Sequence, residues 1–471
     1  MESLAMYLVA FFAVVAIVFM LIKKMDIKIT LFTIGIVLMF IAMATGKGIA
    51  IKDFESTGVF WLDPLKAIAD QFKATIISSG FIILILGGYS AYMSHIKAND
   101  ITVRALIKPI EKIKSVYILV PIVFLIGNIL SLVVPSASNL AIILLATLYP
   151  IMVRVGMSPL TAGAVIATTA TVMPTPLGSD NVAIAAELAK TADFAGLTAS
   201  DYVFKYHAIV SIPTLIVMAI AHFIWQKYQD KKLKKNSQEK VEVKELEEIS
   251  GGTLFKTVYT LLPLLPIIML IAVFILQSTT GIKISLSVEV AVLFSFVISI
   301  ICEMIRNKNV EKTLASTETF FKGMGGAMPI VALLVAGTTF VVGLQSIGII
   351  DSLKNAMTGM SGNGMGFVLP LIMVLLTALI VVLSGSGTAL FFAMVPLMVP
   401  LAEAAGISVL ALSVPMGLAG NLLRAVSPVS AVIMIVAGSI NKEPLKIVKR
   451  TAVPMIAGVV FMFLMSMVMF L

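Results

Sequence analysis

The sequence predicts an all-α polytopic membrane protein built from two inverted-topology repeats. Three observations carry this. Of the 471 residues, 59% are hydrophobic and only 13% are charged, about half the charged share of a soluble domain. The apolar residues come in uncharged blocks of span length. The same order of polar interruptions also occurs twice, on either side of one long charged stretch.

Each half reads as three spans, a re-entrant helical hairpin, a broken span and a final span. A helix needs about 20 apolar residues to cross a hydrocarbon core of about 30 Å. Backbone groups in lipid must be satisfied internally, so these blocks read as helices. In the first half the spans are 4–22, 29–45 and 76–94. An amphipathic arm follows at 97–114, then a hairpin at 116–152 with its tip at 135–139 (PSASN). The broken span 158–189 is interrupted at 173–181 (MPTPLGSDN), and 203–226 is the final span. The stretch 227–250 (KYQDKKLKKNSQEKVEVKELEEIS) reads as a solvated linker. It divides the chain into a first repeat at 1–226, a cytoplasmic linker at 227–256 and a second repeat at 257–471.

The second repeat gives spans at 258–277, 287–305 and 325–346, and an arm at 350–361. Its hairpin is 366–402 with tip 384–388 (SGSGT). Its broken span 407–438 is interrupted at 424–430, and its final span is 446–471. Pro150, Gly156 and Ser158 recur as Pro400, Gly406 and Ser408, each 250 positions on. Such duplication is a common transporter plan. Five crossings per half is an odd number, so the second half enters the membrane with opposite polarity. With both termini outside the cytoplasm, the basic residues concentrate on the cytoplasmic side: Lys23, Lys24 and Lys28, the first arm, the linker, 306–322 and 442–450. That is the positive-inside pattern of an inner-membrane protein.

Composition also excludes functions. The single cysteine, Cys302, rules out an internal disulfide and a Cys-based metal site. No P-loop or nucleotide fingerprint is present, so transport would run on gradients and no cofactor is expected. The net charge of +9 lies beside spans, where topology explains it without a nucleic-acid partner. His95, His207 and His222 are scattered. His207 and His222 fall near opposite ends of the final span and read as interfacial.

The chemistry is expected around Arg424, alone in a span of Gly, Ala, Leu, Val and Met. An arginine at membrane depth costs at least about 2.5–3.5 kcal/mol and normally faces a cavity or a partner. Guanidinium suits a substrate carboxylate through paired hydrogen bonds. The alternatives are a structural ion pair, with Asp180 as the foremost partner, or snorkelling toward the surface. The two breaks expose half-helix ends, whose amides attract anions and whose carbonyls attract cations. Thr175, Ser427 and Ser430 belong to these breaks. At the tips, Ser136, Ser138, Asn139, Ser384, Ser386 and Thr388 offer hydroxyl and amide groups to cap helix ends or to hold a carboxylate. Asp180, with Asn181 and Asn421, is the candidate for a coupling proton or sodium ion, Asp180 being equally able to neutralise Arg424. Asn128 reads as a helix–helix hydrogen bond. The inventory suits a small dianion, with one carboxylate on Arg424 and the other on tip hydroxyls and half-helix amides. A carrier for an amino acid, a tricarboxylate or an inorganic anion stays open, as does an anion channel. An intramembrane enzyme would need a paired nucleophile and base or a metal cluster, and the sequence offers neither.

At these residues the chain resembles the anaerobic C4-dicarboxylate carrier C family of the ion-transporter superfamily. The resemblance is densest at 88–100 (GYSAYMSHIKAND), 145–150 (LATLYP), 221–228 (AHFIWQKY), 384–387 (SGSG) and 427–430 (SPVS). It implies uptake, efflux or exchange of succinate, fumarate and similar diacids in a bacterial inner membrane. It also implies an elevator mechanism and a homodimer, with Ser138, Asn139, Ser386 and Thr388 on the hairpin tips. The tips depart from the superfamily's usual Ser-Asn-Thr, which leaves sodium or proton coupling and exchange all open.

Overall fold

The apolar blocks form long helices. The computed structural model describes residues 2–23, 25–108, 110, 113, 115–232, 252–282, 284–350, 352, 366–385 and 387–471. Among these the chain is all-α, without a strand, and nine helices are long and apolar enough to cross a membrane. Their outer faces are apolar. Ile209, Ile212, Ile216, Ile220 and Ile224 stand exposed along the helix Ala208–Lys232 at helical spacing. That is the reverse of a water-facing helix and the pattern of a lipid-facing one.

The first half opens with the helices Glu2–Ile22 and Ile27–Ala44. Asp26 caps the second, accepting the backbone N–H groups of Lys28 and Ile29. The third span begins earlier than its apolar block. The helices Asp63–Thr75 and Phe81–His95 run on through one π-turn at Ile76–Gly80. The amphipathic segment before residue 76 therefore belongs to the same rod. The arm is helical over Ala98–Ile107 and packs on the helix Thr253–Leu261, where the Thr102 hydroxyl donates to the Thr260 carbonyl at 3.0 Å. The second arm, 350–361, falls almost wholly outside the described residues.

Glycines let the long helices approach closely. A Cβ on Gly35 would sit 2.7 Å from the Thr339 carbonyl oxygen, and one on Gly323 would sit 2.7 Å from that of Gly87. Thus Glu318–Ile347, from the second half, lies against both Ile27–Ala44 and Phe81–His95, from the first. The final helices of the halves, Ala208–Lys232 and Pro444–Phe470, also pack on each other.

Two helix pairs and two interrupted helices complete the fold. Val116–Leu130 and Ala137–Arg154 are joined by the turn 131–136, so Ser138 and Asn139 lie in a first helical turn rather than in a loop. Val368–Ser384 ends on Gly385, at φ +74, before the helix starting at Gly387. This is the left-handed C′ position that glycine favours.

The first interruption runs from 168 to 178, between Pro159–Ala167 and Ser179–Leu188. It starts five residues before the expected 173, and 179–181 are already helical. Thr168 and Thr169 turn their hydroxyls back onto the Val165 and Ile166 carbonyls, and Pro174 and Pro176 prevent the helix from resuming. The second interruption lies where expected. Val409–Leu423 tightens to a 3₁₀ turn at Arg424–Val426, and Ala431–Ser439 follows a turn over 427–430 that the Ser430 N–H closes onto the Ser427 carbonyl at 3.2 Å.

The linker is shorter than its composition suggests. The helix continues to Lys232, and Asp230 is not solvated. It pairs with Arg450 at 2.8 Å and accepts the hydroxyls of Ser158 and Thr161 at 2.9 Å. Residues 233–251 lie outside the described residues.

Candidate functional site

The two interruptions, the turn 131–136 and the start of the helix at Gly387 meet around a cavity of about 680 Å³. Arg424, Asn421, Asp180, Asn181, Thr175, Ser136 and Asn139 all line it. The chain thus brings seven of the expected polar residues to one space from three separate segments, with the start of the helix at Gly387 as a fourth wall.

Arg424 reaches it because Leu423 ends the regular helix and the next turn is 3₁₀. Its Nη2 donates to the Ala170 carbonyl at 2.6 Å, a group freed by the opposite break. Its other guanidinium donors have no partner, and no ion pair joins it to a carboxylate, among the described residues. Asp180 is the carboxylate whose field reaches it, but the Asp180 oxygens are engaged elsewhere. Oδ2 accepts from Asn421 Nδ2 at 2.9 Å and Oδ1 accepts the Asn181 N–H at 2.9 Å. The expected alternative of a direct Arg424–Asp180 pair is therefore corrected: Asn421, one turn before Arg424, holds Asp180 instead.

Asn181 donates to the Thr175 carbonyl at 2.9 Å and closes the 175–181 turn. Ser136 caps the helix Ala137–Arg154 through the Asn139 N–H at 3.4 Å. Three helix N-termini reach the cavity, at Ala137, Ser179 and Gly387, and each brings backbone N–H groups suited to an anion.

The other candidates are placed differently. Ser427 and Ser430 are fully buried away from the cavity. Ser427 donates to the Val382 carbonyl at 2.9 Å, tying the second break to the neighbouring helix. Ser138 is half-buried and Ser384 exposed, and neither lines the cavity. Ser386 and the side chain of Thr388 lie outside the described residues.

Asn128 does more than join two helices. Its Nδ2 donates to the carbonyls of Phe124 at 2.9 Å and Thr168 at 3.3 Å. Its Oδ1 accepts the Thr171 N–H at 3.1 Å and the Thr171 hydroxyl at 2.8 Å. One fully buried carboxamide thereby satisfies the unwound backbone on both sides of Ala170, the seat of Arg424.

The interfacial reading of the two histidines is overturned by their burial. His222 is fully buried and bridges Thr168 Oγ1, at 3.1 Å, to Gln226 Nε2, at 3.4 Å. His207 is 4% exposed and lines the cavity. The helical run, Ala199–Lys232, extends past the apolar block 203–226 at both ends, so neither histidine marks the end of its helix. The π-turn Val203–His207 could have been the signal for His207, but it leaves no mark in the sequence.

Comparison with known proteins decides the family. A family model described as DcuC, C4-dicarboxylate anaerobic carrier, matches residues 1–471. The chain belongs to this family. The anaerobic C4-dicarboxylate transporter DcuC of Escherichia coli strain K12 is 36% identical over 435 residues, covering 91% of this chain and 89% of that protein. The fold is similar to solved transporters of low identity. Neisseria gonorrhoeae MtrF, described among antimetabolite efflux pumps, is 15% identical with a TM-score of 0.62 over 93% of this chain and 94% of its own. The Alcanivorax borkumensis YdaH transporter is 14% identical with a TM-score of 0.65 over 92% of this chain and 97% of its own.

Proposed function

We propose that the cavity around Arg424 is the dicarboxylate site of this carrier and that it moves across the membrane by an elevator motion. As a family member the chain is a secondary transporter of C4-dicarboxylates, multi-pass in the bacterial inner membrane. The observation that carries the site is Arg424 itself. It is a permanent cation in a membrane-depth cavity, held by one backbone carbonyl and left with open donors. A guanidinium so placed is costly without an anion, and its fork matches a carboxylate. Ser136, Asn139, Thr175 and the three helix N-termini are the proposed partners of the second carboxylate. Asp180, Asn181 and Asn421 are the proposed seat of a coupling ion. Ser427 and Ser430 shape the break rather than touch cargo.

The moving part in this reading comprises 116–188 and 368–439, and the long helices joined at Gly35, Gly87 and Gly323 form the scaffold. The parallel element order of the two halves supports an inverted repeat, with the linker between them. The basic segments support termini outside the cytoplasm. A homodimer rests on the superfamily resemblance. Counterflow in proteoliposomes tests the function. Labelled succinate should accumulate against unlabelled fumarate or succinate inside, and not against citrate or an amino acid. Accumulation driven equally by those competitors would refute the dicarboxylate assignment.

A further inference from the structure

We propose that His207 is the proton-binding group of the cavity, and that its protonation is what lets the site accept a dianion. This deepens the reading of the cavity as the dicarboxylate site and rests on it.

The titratable residues lining the cavity are Tyr89, Asp180, His207 and Arg424. Arg424 contributes one positive charge and Asp180 one negative, so the cavity is formally neutral while His207 is neutral. A dicarboxylate placed there brings two negative charges into a space of low dielectric, against one free cation. Protonated His207 supplies the second.

The imidazole is free to do this. Its Nδ1 is buried without a hydrogen-bond partner, and no hydrogen bond fixes Nε2 among the described residues. A buried imidazole that only filled space would have its nitrogens satisfied. His222, on the same helix, has both nitrogens engaged. Moreover, His207 closes a π-turn, Val203–His207, a rare local geometry concentrated at functional sites. That turn breaks the helical register at the residue that faces the cavity.

The charged surroundings of His207 are sparse. From the preceding helix, Ala199–Tyr202, come Tyr202, whose ring lies 6.1 Å from the imidazole, and Asp201, whose carboxylate is paired with Lys205 at 2.7 Å. The Tyr202 hydroxyl is also buried without a partner. The packed helix Val409–Leu423 carries no titratable side chain, and on Ala208–Lys232 the next is His222, about 22 Å further along a helix at 1.5 Å per residue. Asp180 and Arg424 line the same cavity. Nothing in this set neutralises an imidazolium as completely as a bound carboxylate would.

Coupling then follows from linkage. A dianion raises the proton affinity of His207, and the proton raises the affinity for the dianion by the same factor. Affinity should be greatest below the imidazole's titration range and fall as pH rises through it. The test is binding of fumarate to the purified full chain in detergent between about pH 5 and 8, a window that stays above the range in which carboxylates protonate. The wild type should lose several-fold in affinity over that range, with about tenfold the limit for a pKa moved by about one unit on binding. His207→Gln should bind weakly at the acid end and show no pH slope. Calorimetry of the wild type in buffers of different ionisation enthalpy should show net proton uptake on binding, a readout that does not depend on the variant folding. A wild-type pH slope retained in His207→Gln, or binding by the wild type without proton uptake, overturns the role of His207 alone. Absence of fumarate binding to the wild type at every pH overturns the dicarboxylate reading of the cavity, and this proposal with it.

Discussion

Replacing Asn128 with alanine isolates the link between the first break and Arg424. Three of the four Asn128 hydrogen bonds cross to the break, one to the Thr168 carbonyl and two to Thr171. Interhelical hydrogen bonds in membrane proteins average about 0.6 kcal/mol each, so three amount to about 2 kcal/mol. A Thr171 N–H left buried and unpaired adds a penalty of about 1–3 kcal/mol if the break does not relax. The break should relax, because 168–178 has no helix to hold it, and the Ala170 carbonyl would then leave Arg424. If the seated geometry loses about 2 kcal/mol of bias, the competent fraction falls and apparent affinity drops by at most about 30-fold. The assay is succinate uptake into proteoliposomes, fitted for KM and maximal rate, beside a thermal melt of the purified protein. Asn128→Ala should raise KM by about 10- to 30-fold while keeping most of the maximal rate. Thr171→Val should raise it less, and the double variant should be no worse than Asn128→Ala, since Asn128→Ala already removes the one bond that Thr171→Val deletes. A wild-type KM in Asn128→Ala, or strictly additive effects, would refute this positioning role.

Two further perturbations follow from the same contacts. Asp230→Asn should lower the melting temperature sharply, because loss of one partner from a buried ion pair costs about 3–5 kcal/mol. The double variant Asp230→Asn, Arg450→Met should regain part of that stability, and a thermal shift assay in detergent reads both. Gly387→Ala would place a Cβ 2.5 Å from the Gly420 carbonyl oxygen, a clash with backbone that cannot yield. It should abolish uptake by forcing the helix that starts at Gly387 off Val409–Leu423, with a loss of stability of about 1–3 kcal/mol. Wild-type uptake by that variant would show that the contact is not kept during transport.

The helices were legible because lipid imposes a length and a composition that no other constraint mimics. Both breaks were legible because proline and glycine inside an apolar run have few other uses. Arg424 stood out for the same reason, being the one charge its span could not explain. Exact boundaries were less legible. The third span gains Asp63–Thr75 through a π-turn, and the first break begins at Thr168 because hydroxyls, not prolines, end that helix. Asp230 was hidden in a charged run whose composition reads as solvated. Only the fold reveals that Arg450, 220 positions on, claims it. Asn128, His207 and His222 share that difficulty. Each is a single polar residue in an apolar segment, and its role depends on what a distant segment brings to it.

The central claim is that the Arg424 guanidinium carries the dicarboxylate. Succinate counterflow by Arg424→Ala and Arg424→Lys, in proteoliposomes checked for equal insertion and matched melting profiles, tests it most directly. The account predicts no counterflow from the alanine variant and a strongly weakened one from lysine, which keeps the charge but loses the paired donors. Counterflow at the wild-type rate from Arg424→Ala would contradict it.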